Sequence, residues 1–190
     1  MTRKNYGNLS KKDESFERFK PVIERAYSKN IPVRGYVSCV MGCPYDGEVD
    51  PVDVNYVTNK LLEMGCYEVS LGDTIGAGNP TKTEALMKTL TAPKSKLAAH
   101  FHDTNKTAIE NILVALKYGI NIFDSSVGGL GGCPYAGKPA GNVSSEDVIY
   151  VLHELGVDTG VDLSQMVDIG NFVSDHLKRK NLSLVTKSSE

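Results

Sequence analysis

The chain alternates between short apolar segments with the character of β-strands and longer amphipathic segments with the character of helices. Strands are predicted over 33–40, 67–73, 96–102 and 120–127, and each is followed by a predicted helix. Alternating units of this size are typical of a parallel sheet covered by helices. The order of the segments therefore indicates an α/β fold.

Residues that favour helix starts precede two of these helices. Asp50 comes before Pro51 and Asn79 before Pro80, so that each start pairs a capping side chain with a proline suited to the first turn. Gly119 marks the end of a later helix. Ser144 or Ser145 marks the start of the helix that follows it. The predicted helices cover about 13–29, 50–65, 79–91, 105–119, 144–156 and 163–180.

Two folds place helices over a parallel sheet, the (β/α)8 barrel and the doubly wound open sheet, and both bind ligands at the carboxyl ends of the strands. No glycine fingerprint of a dinucleotide site follows any predicted strand, which favours the barrel. A complete barrel takes roughly 250 residues and eight strands. With 190 residues and four predicted strands, the expected fold is a partial TIM (β/α)8 barrel. It is divided into an N-terminal helix in 1–30, a half-barrel in 31–160 and a C-terminal helix and tail in 161–190.

Composition excludes several classes of function. The formal net charge is -2 and no basic patch is interleaved with aromatic residues, so no nucleic-acid partner is expected. No apolar run is long enough to cross a bilayer, and the N-terminus lacks the apolar segment of a secretory signal. A cytoplasmic location is expected, with the mitochondrial matrix left open. The four cysteines are expected to be free thiols.

Two histidines stand one residue apart in the stretch KLAAHFHDTN. Side chains at i and i+2 of a strand leave the same face, so His100 and His102 are expected to converge while Phe101 points to the opposite side. Two imidazoles on one face can hold a divalent metal. The alternative is a pair of unrelated histidines at a strand end, and the spacing alone leaves both interpretations open.

A glycine-rich loop, SSVGGLGGCPYAGKPAGN, follows the fourth predicted strand. Because glycine carries the largest backbone entropy cost, such a loop indicates left-handed turns, mobility or close approach to a ligand. Cys133 is the residue of the loop that is able to act as a nucleophile or proton carrier. A surface loop with an incidental thiol is the alternative.

Together with RGYVSCVMGCPYDG, MGCYEVSLGDTIGAG and HFHDT, the loop segment GGLGGCPYA resembles the hydroxymethylglutaryl-CoA lyase family. The resemblance runs from about residue 9 to about residue 185. It implies a metal-dependent barrel that cleaves the acyl-CoA substrate 3-hydroxy-3-methylglutaryl-CoA into acetyl-CoA and acetoacetate, with Mg²⁺ or Mn²⁺ as cofactor. The isopropylmalate synthases share the two-histidine strand but not the cysteine loop.

The resemblance also implies roles for individual residues. His100 and His102 match the imidazole metal ligands, Asn142 matches the amide ligand and Cys133 matches the catalytic cysteine. Asp73 matches an acid that lines the active site and is assigned a catalytic role. Ser70, which is expected on the strand face of Asp73, is assigned to substrate binding, as are the two acids near the amide ligand, Glu146 and Asp147. Acids also favour a helix N-terminus without any site. Arg34 is expected in a structural ion pair.

One motif of the family does not occur in the chain. The first strand of the family carries an Arg-Asp-Gly motif that supplies a carboxylate metal ligand and an arginine, and no such sequence is found here. The resemblance therefore implies the second half of the barrel, without the first four strands. A half-barrel exposes sheet edges, so the expected partner is an N-terminal half-barrel polypeptide or a second copy. The competing hypotheses are a truncated or split-gene product without activity of its own and a 2-oxo-acid condensing enzyme.

Overall fold

A computed structural model describes residues 9–133 and 141–187, with the side chains from residue 13 to residue 186 in those ranges. Four strands form one parallel sheet in the order of the sequence. They are β1 (Arg34–Ser38), β2 (Glu68–Asp73), β3 (Leu97–Phe101) and β4 (Phe123–Asp124). The sheet confirms the predicted α/β class and the parallel strands, and its arrangement is that of part of an α/β barrel.

Helices alternate with the strands as predicted. They are α1 (Leu9–Tyr27), α2 (Pro51–Glu63), α3 (Pro80–Thr89), α4 (Ala108–Lys117), α5 (Ser145–Glu154), α6 (Leu163–His176) and α7 (Leu184–Lys187). None of the helices within the described ranges is long and apolar enough to cross a membrane. The division of the chain into 1–30, 31–160 and 161–190 stays a prediction.

The predicted helix caps are confirmed. The Asp50 side chain accepts a hydrogen bond from the Val52 amide at 2.9 Å, ahead of α2. Ser144 does the same for α5, where its hydroxyl accepts the Asp147 amide at 3.1 Å. Each cap supplies an acceptor to an amide that has no partner within its own helix.

The sheet has an outer face under the helices and an inner face opposite to it. On the outer face, the aliphatic and aromatic side chains of β2 and β3 are almost fully buried in the core. This set comprises Val69, Leu71, Leu97, Ala99 and Phe101. The inner face is more polar, and Tyr36 of β1 remains 59% exposed there. Strand alternation thus separates a packing face from a face that is available for a site.

The fourth strand is much shorter than the predicted 120–127. Only Phe123 and Asp124 pair with β3, because the chain returning from the glycine loop occupies the next positions. The Val143 amide donates to the Phe101 carbonyl at 3.4 Å, and the Ser126 amide donates to the Val143 carbonyl at 3.1 Å. The returning segment therefore lies between β3 and the continuation of β4, an arrangement that periodicity could not predict.

The predicted end of the long C-terminal helix is also wrong. The prediction ran to residue 180, but α6 ends at His176 and Lys178 adopts a φ of 51°. The chain then turns back, and the unpredicted helix α7 follows at Leu184–Lys187. A left-handed residue cannot continue an α-helix, so the turn at Lys178 redirects the chain toward α5.

Candidate active site

The two histidines converge at the carboxyl end of β3, as predicted. The ring centroids of His100 and His102 lie 5.1 Å apart, with their planes at 83°. Phe101 lies between them in sequence, belongs to the opposite face and is 2% exposed. The period of the strand therefore brings the two imidazoles together in space.

The ring nitrogens of the pair differ in their partners. Nδ1 of His100 lies 3.3 Å from the carbonyl oxygen of Asp124. Because a carbonyl only accepts, this contact favours the tautomer with a proton on Nδ1 and an unprotonated Nε2. His102 is 5% exposed, and its Nδ1 has no hydrogen-bond partner within the described parts of the chain. A buried nitrogen without a partner is costly, and a bound cation would satisfy it.

The electrostatics of His102 suit a metal ligand. Burial, and after it the neighbouring His100, lowers the pKa of His102 below the ordinary histidine value. The imidazole is therefore neutral at pH 7, which is the form that binds a metal.

Asn142 lies beside His102. The two residues form an isolated antiparallel bridge, and Nδ2 of Asn142 donates to the Leu130 carbonyl at 2.8 Å. This bond engages the NH₂ group of the amide, and the oxygen is the atom of this side chain whose chemistry suits a cation. Two imidazoles and one amide thus fit a divalent cation. Among the side chains that the structure describes, no group of three or more His, Cys, Asp or Glu residues forms a metal site, so a carboxylate is absent from this set.

Cys133 is half-buried at the end of the first described range. Burial raises the pKa of the Cys39 thiol to about 11, and the nearby thiols of Cys43 and Cys133 also raise it. The effect of Cys133 on Cys39 indicates that this part of the glycine loop lies near the carboxyl end of β1. The part of the loop at 134–140 lies outside the described residues.

Ser70 and Asp73 do not share a strand face, and this prediction is wrong. Ser70 lies on the inner face and donates to Oδ2 of Asp124 at 2.7 Å. Asp73 is three positions further along β2, which places its side chain on the other face. Its two carboxylate oxygens accept the amides of Ala77 and Gly78 at 2.9 and 2.8 Å, and burial raises its pKa. The carboxylate therefore holds the loop after β2, and the predicted catalytic role of Asp73 stays a prediction.

The two acids at the start of α5 accept hydrogen bonds from other parts of the chain. Both carboxylate oxygens of Glu146 accept the Gly128 amide, at 3.0 and 2.9 Å, and the side chain is fully buried. Asp147 Oδ1 accepts the Ser183 hydroxyl at 2.7 Å and the Leu184 amide at 2.8 Å. Glu146 thus fixes the turn that begins the glycine loop, and Asp147 caps α7. Their predicted contact with substrate stays a prediction.

One functional candidate was missed by sequence reasoning. Asp124 accepts hydrogen bonds from Ser70 and from Nη1 of Arg34, the latter at 2.9 Å, and its backbone carbonyl faces His100. The available signal was an acid in the middle of the predicted strand 120–127, directly after Ile122 and Phe123. The ion pair expected for Arg34 is confirmed, since it contacts both Asp124 and Glu68.

Comparisons with known proteins identify this arrangement. The HMGL-like family model matches residues 3–173. A curated relative named 3-hydroxy-3-methylglutaryl-CoA lyase, cytoplasmic, from Danio rerio is 50% identical over 93% of this chain and 53% of its own length. A Pseudomonas aeruginosa 3-hydroxy-3-isohexenylglutaryl-CoA/hydroxy-methylglutaryl-CoA lyase is 52% identical over 95% of this chain and 61% of its own length. The chain thus spans little more than half the length of these relatives.

A solved structure agrees with the sequence relatives. The crystal structure of hydroxymethylglutaryl-CoA lyase from Pseudomonas aeruginosa matches with a TM-score of 0.89 and 51% identity, over 93% of this chain and 59% of that chain. The histidine strand, the returning asparagine and the cysteine loop therefore occur in a chain that belongs to the HMGL-like family.

Proposed function

We propose that the chain provides the histidine and cysteine-loop part of a hydroxymethylglutaryl-CoA lyase. The proposed reaction cleaves 3-hydroxy-3-methylglutaryl-CoA into acetyl-CoA and acetoacetate. The observation that carries the proposal is the convergence of the His100 and His102 rings at the carboxyl end of the sheet, with the Asn142 backbone bridged to His102 and with His102 Nδ1 unpartnered within the described ranges. The family and the identity of about 50% to lyases support the same reaction.

In this proposal, His100, His102 and Asn142 hold a divalent cation, Mg²⁺ or Mn²⁺. Such a cation supplies Lewis-acid polarisation of the hydroxyl and carbonyl oxygens of the substrate. The histidines contribute as neutral ligands, which the lowered pKa of His102 favours. Both Mg²⁺ and Mn²⁺ prefer oxygen ligands, so the set present here calls for additional oxygen donors.

Cleavage also needs two proton transfers. A base removes the proton of the tertiary hydroxyl, the bond between C2 and C3 breaks, and an acid protonates the carbon of the departing acetyl-CoA enolate. We assign the acid role to Cys133, because its loop begins beside the site: the Asn142 side chain is bonded to Leu130 of the same loop. The proposed role of Ser70 is indirect, since its hydroxyl is bonded to Asp124.

The 190 residues contain no Arg-Asp-Gly sequence, which the family uses for a carboxylate ligand and for an arginine near the enolate. Loss of one preorganised donor at a developing oxyanion typically costs about 10²–10³ in rate. We therefore expect the 190-residue polypeptide alone to turn over hydroxymethylglutaryl-CoA much more slowly than a complete lyase. A polypeptide carrying the family's first four strands is the proposed partner that restores the rate.

The proposal is tested by assaying the purified polypeptide with hydroxymethylglutaryl-CoA and Mn²⁺, alone and mixed with that partner. The expected result is acetoacetate formation in the mixture, and its loss when His102→Ala replaces the wild type. Full turnover by the polypeptide alone would contradict the assigned need for the missing groups. Condensation of acetyl-CoA with a 2-oxo acid, without lyase activity, would favour the synthase alternative instead.

A further inference from the structure

An ion-pair network crosses the inner face from the first strand of the sheet to the last. Arg34 begins β1, and its Nε donates to Oε1 of Glu68 on β2 at 2.5 Å. Nη1 of the same guanidinium reaches Oδ2 of Asp124 on β4 at 2.9 Å. The side chains of Arg34, Glu68 and Asp124 are 18%, 11% and 26% exposed, so water screens these contacts less than it screens surface pairs.

Asp124 depends on this network for its position. Its strand pairs with β3 only at Ala99–Phe123 and His100–Asp124. The Asp124 carboxylate is held by Arg34 and by the Ser70 hydroxyl, both on Oδ2. A two-residue strand has few backbone hydrogen bonds of its own, so these side-chain bonds matter for where its backbone lies.

The backbone of Asp124 is also the partner of His100. Its carbonyl oxygen lies 3.3 Å from His100 Nδ1, on the same residue whose carboxylate Arg34 binds. An acceptor at Nδ1 fixes both the tautomer and the ring orientation of a histidine. Asp124 therefore connects Arg34 to the His100 imidazole, because it contacts both of them.

We propose that Arg34 is a positioning residue for His100: by binding Asp124, it keeps the Asp124 carbonyl against Nδ1 and leaves Nε2 of His100 unprotonated and directed toward the inner face. The effect on a cation rests on the proposed function, whereas the effect on the tautomer does not. A lysine cannot replace the guanidinium fully, because its single ammonium lacks the planar fork that engages Glu68 and Asp124 together.

The test compares Arg34→Met, Arg34→Lys and a matched control, Leu61→Ala. The Leu61 side chain lies 3.1 Å from the position of a Cβ on Gly35, so this control weakens packing on the outer face of the same strand without touching the network. The first readout is the His100 tautomer in the metal-free polypeptide, read from the ¹⁵N chemical shifts of its ring. The second is the affinity for Mn²⁺ alone, by titration calorimetry.

We expect the wild type and Leu61→Ala to show His100 with its proton on Nδ1. In Arg34→Met the ring should populate both tautomers, and Mn²⁺ affinity should fall roughly tenfold, as is common when a group supporting a metal ligand is lost. In Arg34→Lys, both the tautomer populations of His100 and the Mn²⁺ affinity should lie between those of the wild type and those of Arg34→Met. If Arg34→Met does not fold, Asp124→Asn tests the same contact while retaining the backbone carbonyl.

The two readouts separate the possible failures. An unchanged His100 tautomer in a folded Arg34→Met or Asp124→Asn variant overturns the positioning role. A tautomer shift in Leu61→Ala as large as that in Arg34→Met also overturns the positioning role, because the shift would then follow from general loosening of β1. If the wild type binds no Mn²⁺, the proposed metal site fails, and the tautomer shift still decides the role of Arg34.

Discussion

The end of β3 and the start of α5 look alike in the sequence and differ in the structure. Both carry polar residues that match motifs of one family, the two histidines in the first region and Glu146 with Asp147 in the second. At the start of α5 both acids are bonded to groups of their own chain. In the β3 region His102 Nδ1 has no partner among the described residues. Buried polar atoms that are hydrogen-bonded within the chain stabilise the fold. Buried polar atoms that lack such a bond are the better candidates for binding a ligand.

The largest expected effect that tests this difference between the two regions comes from removing the Glu146 side chain. Glu146→Ala leaves the buried Gly128 amide without its acceptor and opens a cavity, so we expect the free energy of unfolding to fall by about 3 kcal/mol. Urea unfolding measures the change. Glu154→Ala, an exposed carboxylate on the same helix, is the matched control and should change little. Unchanged stability with weakened substrate binding would instead place Glu146 in the binding site.

The second prediction concerns His102. His102→Ala should lower the affinity for Mn²⁺ at least tenfold, which is about 1.4 kcal/mol, because the variant loses a ligand. His176→Ala, an exposed histidine of α6, should bind as the wild type does. Titration calorimetry compares them, and equal affinity of wild type and His102→Ala would remove the metal site.

The protonation of His102 has a pH dependence with a definite sign. Burial lowers the pKa of His102, so its neutral form persists to lower pH than that of an ordinary histidine. In the metal-free polypeptide, the His102 ring should therefore stay mainly neutral as pH falls to about 6.5, the ordinary value, and become protonated only at lower pH, as measured from the ¹⁵N chemical shifts of the ring. A His102 ring that is already mainly protonated at about pH 6.5 would contradict a lowered pKa.

A third prediction separates the two acids of α5. Asp147 accepts the amides of Leu184 and Val185 at 2.8 and 3.1 Å, as a helix cap does. Asp147→Ala should cost about 1 kcal/mol of unfolding free energy, typical of a lost cap. The amides of Leu184 and Val185 should exchange with solvent faster, measured by hydrogen exchange. Asp168→Ala on α6 is the exposed control, and equal exchange in both variants would leave Asp147 free for another role.

Strand periodicity predicted the histidine pair but not every face or boundary. His100 and His102 converge because alternation is a local property of one strand. By the same alternation, Ser70 and Asp73, which are three positions apart, lie on opposite faces of the strand, and the sequence alone was enough to predict this. The length of β4 was beyond local reasoning, because the pairing of Val143 with Phe101 joins segments separated by the whole glycine loop. Acids at a helix start give one sequence signal whether they bind backbone or ligand.

The smallest expected effect belongs to Cys133 and tests the boundary between the metal site and the loop. Its thiol is near Cys39, at the carboxyl end of β1, and is not among the three groups proposed to hold the cation. Cys133→Ala should therefore leave Mn²⁺ affinity within about twofold of the wild type, well under 1 kcal/mol. In the mixture that is competent for turnover, it should lower kcat more than it changes KM, since a proton donor acts in the transition state. His102→Ala in the same titration shows what the loss of a ligand looks like. A Cys133→Ala variant that loses metal to the same extent would make the thiol a ligand and would move the cation from the end of β3 toward β1.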